Sequence, residues 1–167
     1  MNTKKLVRGA LVIALALALQ SIRLIMPLPP MAGAFIIGTF VHTMLVVGQK
    51  ACGFWAALIM SLLLPCTAYA QGQLVLPILV PVVMLGNLVF VVLLSRFTEG
   101  WQAHVVPPLG KAFFMSGGFG FMAMSLLHLD LPAVVLPVLF SMSVPQFVTG
   151  AIGISLARAI LKHIRAN

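Results

Sequence analysis

Long apolar runs alternate along the chain with short clusters of polar residues, prolines and glycines. Six of these runs approach the roughly 20 residues that a helix needs to cross a bilayer. They predict spanning helices at about residues 6–26, 31–48, 51–69, 77–97, 108–127 and 144–163. Because Pro137 and Pro145 interrupt the last apolar region, Ala133–Ser143 is predicted to form a separate short outer element before the sixth helix.

The composition agrees with a membrane protein. Apolar residues make up 62% of the chain and charged residues 7%, with a mean hydropathy of +1.16. Soluble domains carry about a quarter charged residues. Glu99 and Asp130 are the only acidic residues, too few to cover a soluble surface. We therefore expect an all-α bundle of six transmembrane helices that forms one domain over residues 1–167.

The basic residues indicate an orientation. The positive-inside rule places lysine and arginine on the cytoplasmic side of a membrane. With six spans and both termini in the cytoplasm, nine of the ten basic residues lie inside and only Arg23 lies outside; the nine are Lys4, Lys5, Arg8, Lys50, Arg96, Lys111, Arg158, Lys162 and Arg165. They stand singly between apolar runs rather than in a stripe, which argues against nucleic-acid binding despite the net charge of +8.

Three further local features can be interpreted from the sequence. The basic N-terminus followed by Ala10–Leu19 resembles a signal peptide, but five further apolar runs favour a first span. The polar segment Thr98–Pro107 is expected to lie along the inner interface, with Trp101 at headgroup level. Cys52 and Cys66 lie too far apart on one predicted helix to form a disulfide.

Polar residues at membrane depth are the best candidates for a site, because such residues are costly in lipid and usually face a cavity or another helix. Most of them fall in the predicted outer half. Together they predict an outward-facing pocket for a small polar molecule, lined by Gln20, Arg23, Tyr69, Gln71, Gln73, Asn87, His128 and Gln146.

Each candidate also has a purely structural interpretation. Asn87 either lines the site or forms an interhelical hydrogen bond, and Gly86 beside it permits close approach. Arg23 either binds substrate, reaches the outer headgroups or pairs with Asp130. Gln71 and Gln73, between the third and fourth predicted helices, are also consistent with ordinary solvated loop positions. Gln146 is also consistent with a helix cap.

The sequence offers little for catalysis or metal binding. Glu99 and Asp130 are predicted on opposite faces of the membrane, so they cannot act as a pair of carboxylates. No nucleotide-binding motif and no Cys/His metal spacing is present in the sequence. His42 and His128 raise the alternative of bis-histidine haem ligation, but their predicted depths differ by most of the bilayer. We expect no enzyme activity, no cofactor and no metal.

Several short sequence segments resemble those of a known family. They are Gly33–Thr43 in the second predicted helix, Pro77–Asn87 in the fourth and Pro145–Ala157 in the sixth, together with Ala10, Ala14 and Ala18 at four-residue spacing in the first. With the small size and six-span layout, they make the chain similar, over nearly its whole length, to the substrate-binding S component of an energy-coupling factor (ECF) transporter of vitamin type.

The resemblance implies that this subunit binds the substrate and that other proteins hydrolyse ATP. Such a subunit of the bacterial cytoplasmic membrane captures a micronutrient from outside and docks on a transmembrane coupling protein through helix 1, here through Ala10, Ala14 and Ala18. Two cytoplasmic ATPases then drive it to topple and release its cargo. The loop Pro27–Ala32 would be the lid. The start Met1-Asn2-Thr3 departs from the Met-His metal hook of nickel and cobalt members. The rival interpretation is a small redox or structural subunit of a larger membrane complex.

Overall fold

The computed structural model describes residues 3–26, 29–74, 76–125 and 132–166. This part of the chain consists of helices and short turns, without a strand. Its α-helices are α1 (Thr3–Ile25), α2 (Pro30–Val47), α3 (Phe54–Ala70), α4 (Leu79–Arg96), α5 (Gln102–Ser125), α6 (Pro132–Met142) and α7 (Val144–Ala166). A π-helical turn over Gly48–Cys52 continues α2. The prediction of an all-helical protein is confirmed.

Most helix boundaries lie within a few residues of those predicted, and α6 corresponds to the short element expected before the last helix. The exception is α5, which begins at Gln102 rather than at Pro108. The predicted start of the fifth helix is therefore six residues too late, and residues 102–107 belong to α5. Gly100, with φ +69°, turns the chain just before α5. Pro107 has the backbone φ of a helix and lies close to the helix start, so it removes a hydrogen bond without ending the helix.

Four helical stretches in the described residues are long and apolar enough to cross a membrane: Thr3–Ile25, Met31–Cys52, Leu79–Arg96 and Val135–Ile164. The helix α3 is apolar but shorter. The chain therefore has the helices of a membrane protein.

The bundle is organised around α2 and α7, which pack along each other more extensively than any other pair of described helices. A Cβ atom added at Gly153 would lie 2.6 Å from the Cβ of His42, and one at Gly38 would lie 3.2 Å from the Oγ1 of Thr149. Glycine at these positions allows the two backbones to approach closely. The helix α5 packs against α4 and α7, and α3 packs against α4.

The two ends of the bundle differ. At one end, which we call the cavity end, α1 and α3 finish and α2, α4 and α7 begin. The other we call the basic end, because exposed cationic side chains gather there: Lys5, Arg8, Lys50, Arg96 and Lys162. An apolar core built around Leu45, Met60, Phe90 and Ile154 fills the space between the helices.

The first helix lies at the periphery. It contacts α2 and α3 through a narrow stripe that includes Gly9, Ala16 and Gln20. Its outer face is exposed along its length, with Leu11 64% and Leu15 50% exposed. This outer face is free of contact with the rest of the described bundle.

Candidate functional site

A cavity of about 610 Å³ penetrates the bundle from the cavity end. Its walls come from α1 to α7, and most of the side chains are aliphatic, such as Ile37, Val41 and Leu79. The volume falls in the range of small-molecule sites, about 300–1,000 Å³. Polar side chains interrupt the apolar wall at two levels, a base inside the bundle and a rim near its end.

The base of the cavity is a hydrogen-bonded group of three buried side chains from three helices. The Nζ of Lys111 on α5 lies 2.9 Å from the Nε2 of His42 on α2. The same Nζ donates to the Oδ1 of Asn87 on α4 at 2.7 Å. Lys111 is 2% exposed, His42 0% and Asn87 1%, and all three line the cavity. We call Lys111, His42 and Asn87 the basal triad.

The hydrogen bonds of His42 determine which of its nitrogens carries a proton. Its Nδ1 lies 2.7 Å from the carbonyl oxygen of Gly38, which can only accept, so Nδ1 must be the donor. In the neutral imidazole Nε2 is then an acceptor, and it accepts a hydrogen bond from Lys111. Both described partners of the Lys111 Nζ are thus neutral acceptors.

Small residues and one aromatic ring hold the basal triad in place. A Cβ at Gly86, next to Asn87, would collide with the side chain of Met115 on α5, with its Sδ at 2.8 Å, so glycine lets α4 and α5 approach at this level. The ring of Phe90 meets His42 edge-on, with 4.9 Å between ring centroids. Close backbone approach and ring packing together restrict where His42 can lie, so the triad is positioned by the packing of the helices around it.

The rim is a chain of amide side chains that joins α1 to α3 and its following turn. Gln20 donates to the Leu64 carbonyl and to the Thr67 Oγ1, both at 3.0 Å. Gln73 donates to the Gln20 carbonyl at 3.1 Å and to the Oε1 of Gln71 at 2.6 Å. Arg23, half-buried, and Gln146 complete the polar rim.

Of the side chains predicted for an outer pocket, five line this cavity: Gln20, Arg23, Gln73, Asn87 and Gln146. Two others lie nearby without lining it. Gln71 donates to the Ser21 Oγ at 2.7 Å and supports Gln73. Tyr69 is 44% exposed at the end of α3.

The remaining candidate, His128, lies outside the described residues, as does Asp130, the suggested partner of Arg23. The lid expected at Pro27–Ala32 lies partly outside them. His42, by contrast, faces Lys111 and Asn87.

Sequence reasoning missed Lys111 and undervalued His42. The positive-inside count assigned Lys111 to the cytoplasmic surface, whereas the structure buries it at the cavity base. The error follows from the late start predicted for α5. With α5 beginning at Gln102, Lys111 lies about 14 Å along the helix instead of near its start. A lysine this deeply buried is rare unless it has a partner, so it is a strong candidate for a site.

The basic end carries a second, smaller depression of about 510 Å³. Lys50, Glu99, Arg158 and Lys162 line it. Lys50, Glu99 and Lys162 are exposed, and Arg158 donates to the carbonyl of Thr98 at 3.1 Å. A depression lined by exposed charged side chains is typical of an aqueous surface, and we do not assign it as the site.

Ala10, Ala14 and Ala18, predicted as a docking face, are all exposed on the outer side of α1. They are available to another protein rather than used in packing the bundle.

Comparisons with protein-family models, curated protein sequences and solved structures gave no match for this chain.

Proposed function

We propose that this chain is the substrate-capture (S) component of an ECF-type importer in a bacterial cytoplasmic membrane. It binds a small micronutrient from outside and delivers it with a transmembrane coupling protein and two cytoplasmic ATPases. The observation that carries the proposal is the cavity that opens at one end of the bundle, with the polar basal triad inside. Such a cavity suits capture of a small molecule.

The orientation is part of the proposal. Exposed lysines and arginines gather at the basic end, while Arg23 lies at the rim of the cavity. The positive-inside rule then places the basic end in the cytoplasm and directs the cavity outward. In this arrangement α1, α2, α3, α4, α5 and α7 are the six spans and both termini are cytoplasmic. An outward cavity is what an importer requires.

The outer face of α1 supports the choice of partner. Ala10, Ala14 and Ala18 leave a shallow track between larger exposed side chains such as Leu11 and Leu15. Small residues at this spacing allow a second helix to approach closely in lipid. We assign the track to the coupling protein. In this proposal the chain itself is not an enzyme, because its partners hydrolyse ATP.

The experiment that tests the proposal is affinity purification from native membranes. The wild type should retain one transmembrane protein and two ATPases. Ala14→Trp fills the track and should lose them. Cys66→Trp places the same ring on the exposed face of α3 and should keep them.

The same preparations distinguish the rival functions. A redox subunit would carry a bound chromophore that absorbs visible light. A structural subunit would retain partners other than ATPases, with no effect of occupying the cavity. Either result would reject the importer assignment.

A further inference from the structure

The cavity contains a buried basic side chain and no described acidic side chain. Lys111 lies at the base and Arg23 at the rim, and no aspartate or glutamate is among the described lining residues. Of the two acidic residues of the chain, Glu99 is exposed at the basic end and Asp130 lies outside the described residues. The described lining residues of the cavity are therefore basic or neutral.

Hydrogen bonds to His42 and Asn87 stabilise the Lys111 ammonium but do not neutralise it. Both acceptors are neutral, at 2.9 and 2.7 Å from Nζ. An ammonium has three N–H donors, and the described hydrogen bonds use two of them. A buried charge without an opposite charge is costly. The third donor of a lysine that lines the cavity is available to a ligand in it.

From this geometry we infer that the basal triad is the recognition site for an anionic group, a carboxylate or a phosphate, of the cargo. The inference rests on the proposed capture function and names the substrate class. An anion at Lys111 would form a charge-assisted hydrogen bond with the third donor and supply the missing negative charge. His42 and Asn87 are positioning residues, because they hold Nζ at the cavity base.

The walls indicate the rest of the molecule. The described lining residues are mainly aliphatic and include no phenylalanine, tyrosine or tryptophan. Stacking on a phenylalanine, tyrosine or tryptophan ring is therefore not part of recognition by these residues. A small organic acid with a largely apolar body fits this combination of an apolar wall and a cationic base. Arg23 at the rim attracts the same charge on entry.

The test compares two pools of metabolites from a bacterial extract, separated into anionic and neutral fractions by anion exchange. Each pool is added to the protein in nanodiscs of phosphatidylcholine, and thermal unfolding is followed. We expect the anionic pool to stabilise the wild type. Lys111→Met should reduce the affinity for the retained anion roughly 10- to 100-fold. The matched variant Lys5→Met, at the exposed basic end, should respond as the wild type does.

Asn87→Asp is a second, independent variant. It places a carboxylate where the Asn87 Oδ1 now lies, 2.7 Å from Nζ, and so supplies the negative charge from within the protein. Without ligand, this variant should melt at least about 2 °C above the wild type, and it should not respond to the anionic pool. If it melts below the wild type or still responds, the inference is overturned, even where Lys111→Met fails to fold.

The remaining outcomes separate this inference from the proposed function. If the neutral pool stabilises both the wild type and Lys111→Met, capture stands and the anion site is rejected. If neither pool stabilises the wild type, both proposals fail. If stabilisation instead requires phosphatidylglycerol in the disc, the anion is a lipid headgroup and the assignment to cargo is overturned.

Discussion

Gly153→Ala tests whether the contact between α2 and α7 positions the base of the cavity. The added Cβ would lie 2.6 Å from the Cβ of His42 and 3.0 Å from the backbone nitrogen of Thr43. Carbon atoms in contact normally lie about 3.5–4.0 Å apart, so the two helices must separate by roughly 1 Å. Backbone atoms cannot rotate away, and the whole helix must move.

The expected free-energy change has two parts. Overpacking a core typically costs about 1–3 kcal/mol. Replacing glycine by alanine inside a helix recovers up to about 1 kcal/mol. We expect a net loss of about 1–2 kcal/mol in the free energy of unfolding. The variant should also retain less cargo, because His42 shifts away from Lys111.

The matched control is Gly118→Ala on α5. Its Cβ would meet the Cγ1 of Val82 at 3.8 Å, an ordinary contact. This variant should gain up to about 1 kcal/mol from helix propensity alone. Unfolding in increasing mole fractions of SDS, followed by circular dichroism, measures both variants. Equal stability of Gly153→Ala and Gly118→Ala would refute the close approach of α2 and α7.

Two further predictions concern the rim and the orientation. Gln20→Met should lower the free energy of unfolding by only about 1 kcal/mol in the same SDS titration, because interhelical hydrogen bonds in membranes are individually weak. In addition, the Leu64 carbonyl still accepts a hydrogen bond from the Thr67 hydroxyl. A loss above about 3 kcal/mol would contradict this account. In a variant without the native cysteines, a membrane-impermeant maleimide should label Pro77→Cys in intact cells and Glu99→Cys only after the membrane is opened, and the reverse pattern would reject the proposed orientation.

The helices could be predicted from the sequence because each apolar run is long and bounded by proline, glycine or charge. The start of α5 could not, because a proline pair usually marks a helix boundary. Here Pro107 and Pro108 lie inside the helix, and nothing local distinguishes the two cases. That single boundary changed the depth of Lys111, and with it the interpretation of the most informative polar residue.

For the site too, some residues could be predicted from the local sequence, whereas others depend on how the helices pack. Their predicted position in the outer half was enough to bring Gln20, Arg23, Gln73, Asn87 and Gln146 to one cavity, since polar residues in the same half of a small bundle lie near each other. The meeting of Lys111 with His42 depends on helix rotation. Rotation follows from packing at Gly86 and Gly153, and periodicity is weak in helices that are apolar on every side.

The short connection between α2 and α3 limits how the bundle can open. The π-helical turn Gly48–Cys52 passes into α3 through Gly53 alone, which has φ +102°. The side chain of Gln49 also donates to the Val91 carbonyl of α4 at 3.1 Å. The helices α2, α3 and α4 are thus connected to each other at the basic end. In the proposed capture function, this connection favours a change of helix separation at the cavity end, which is where cargo would enter and leave.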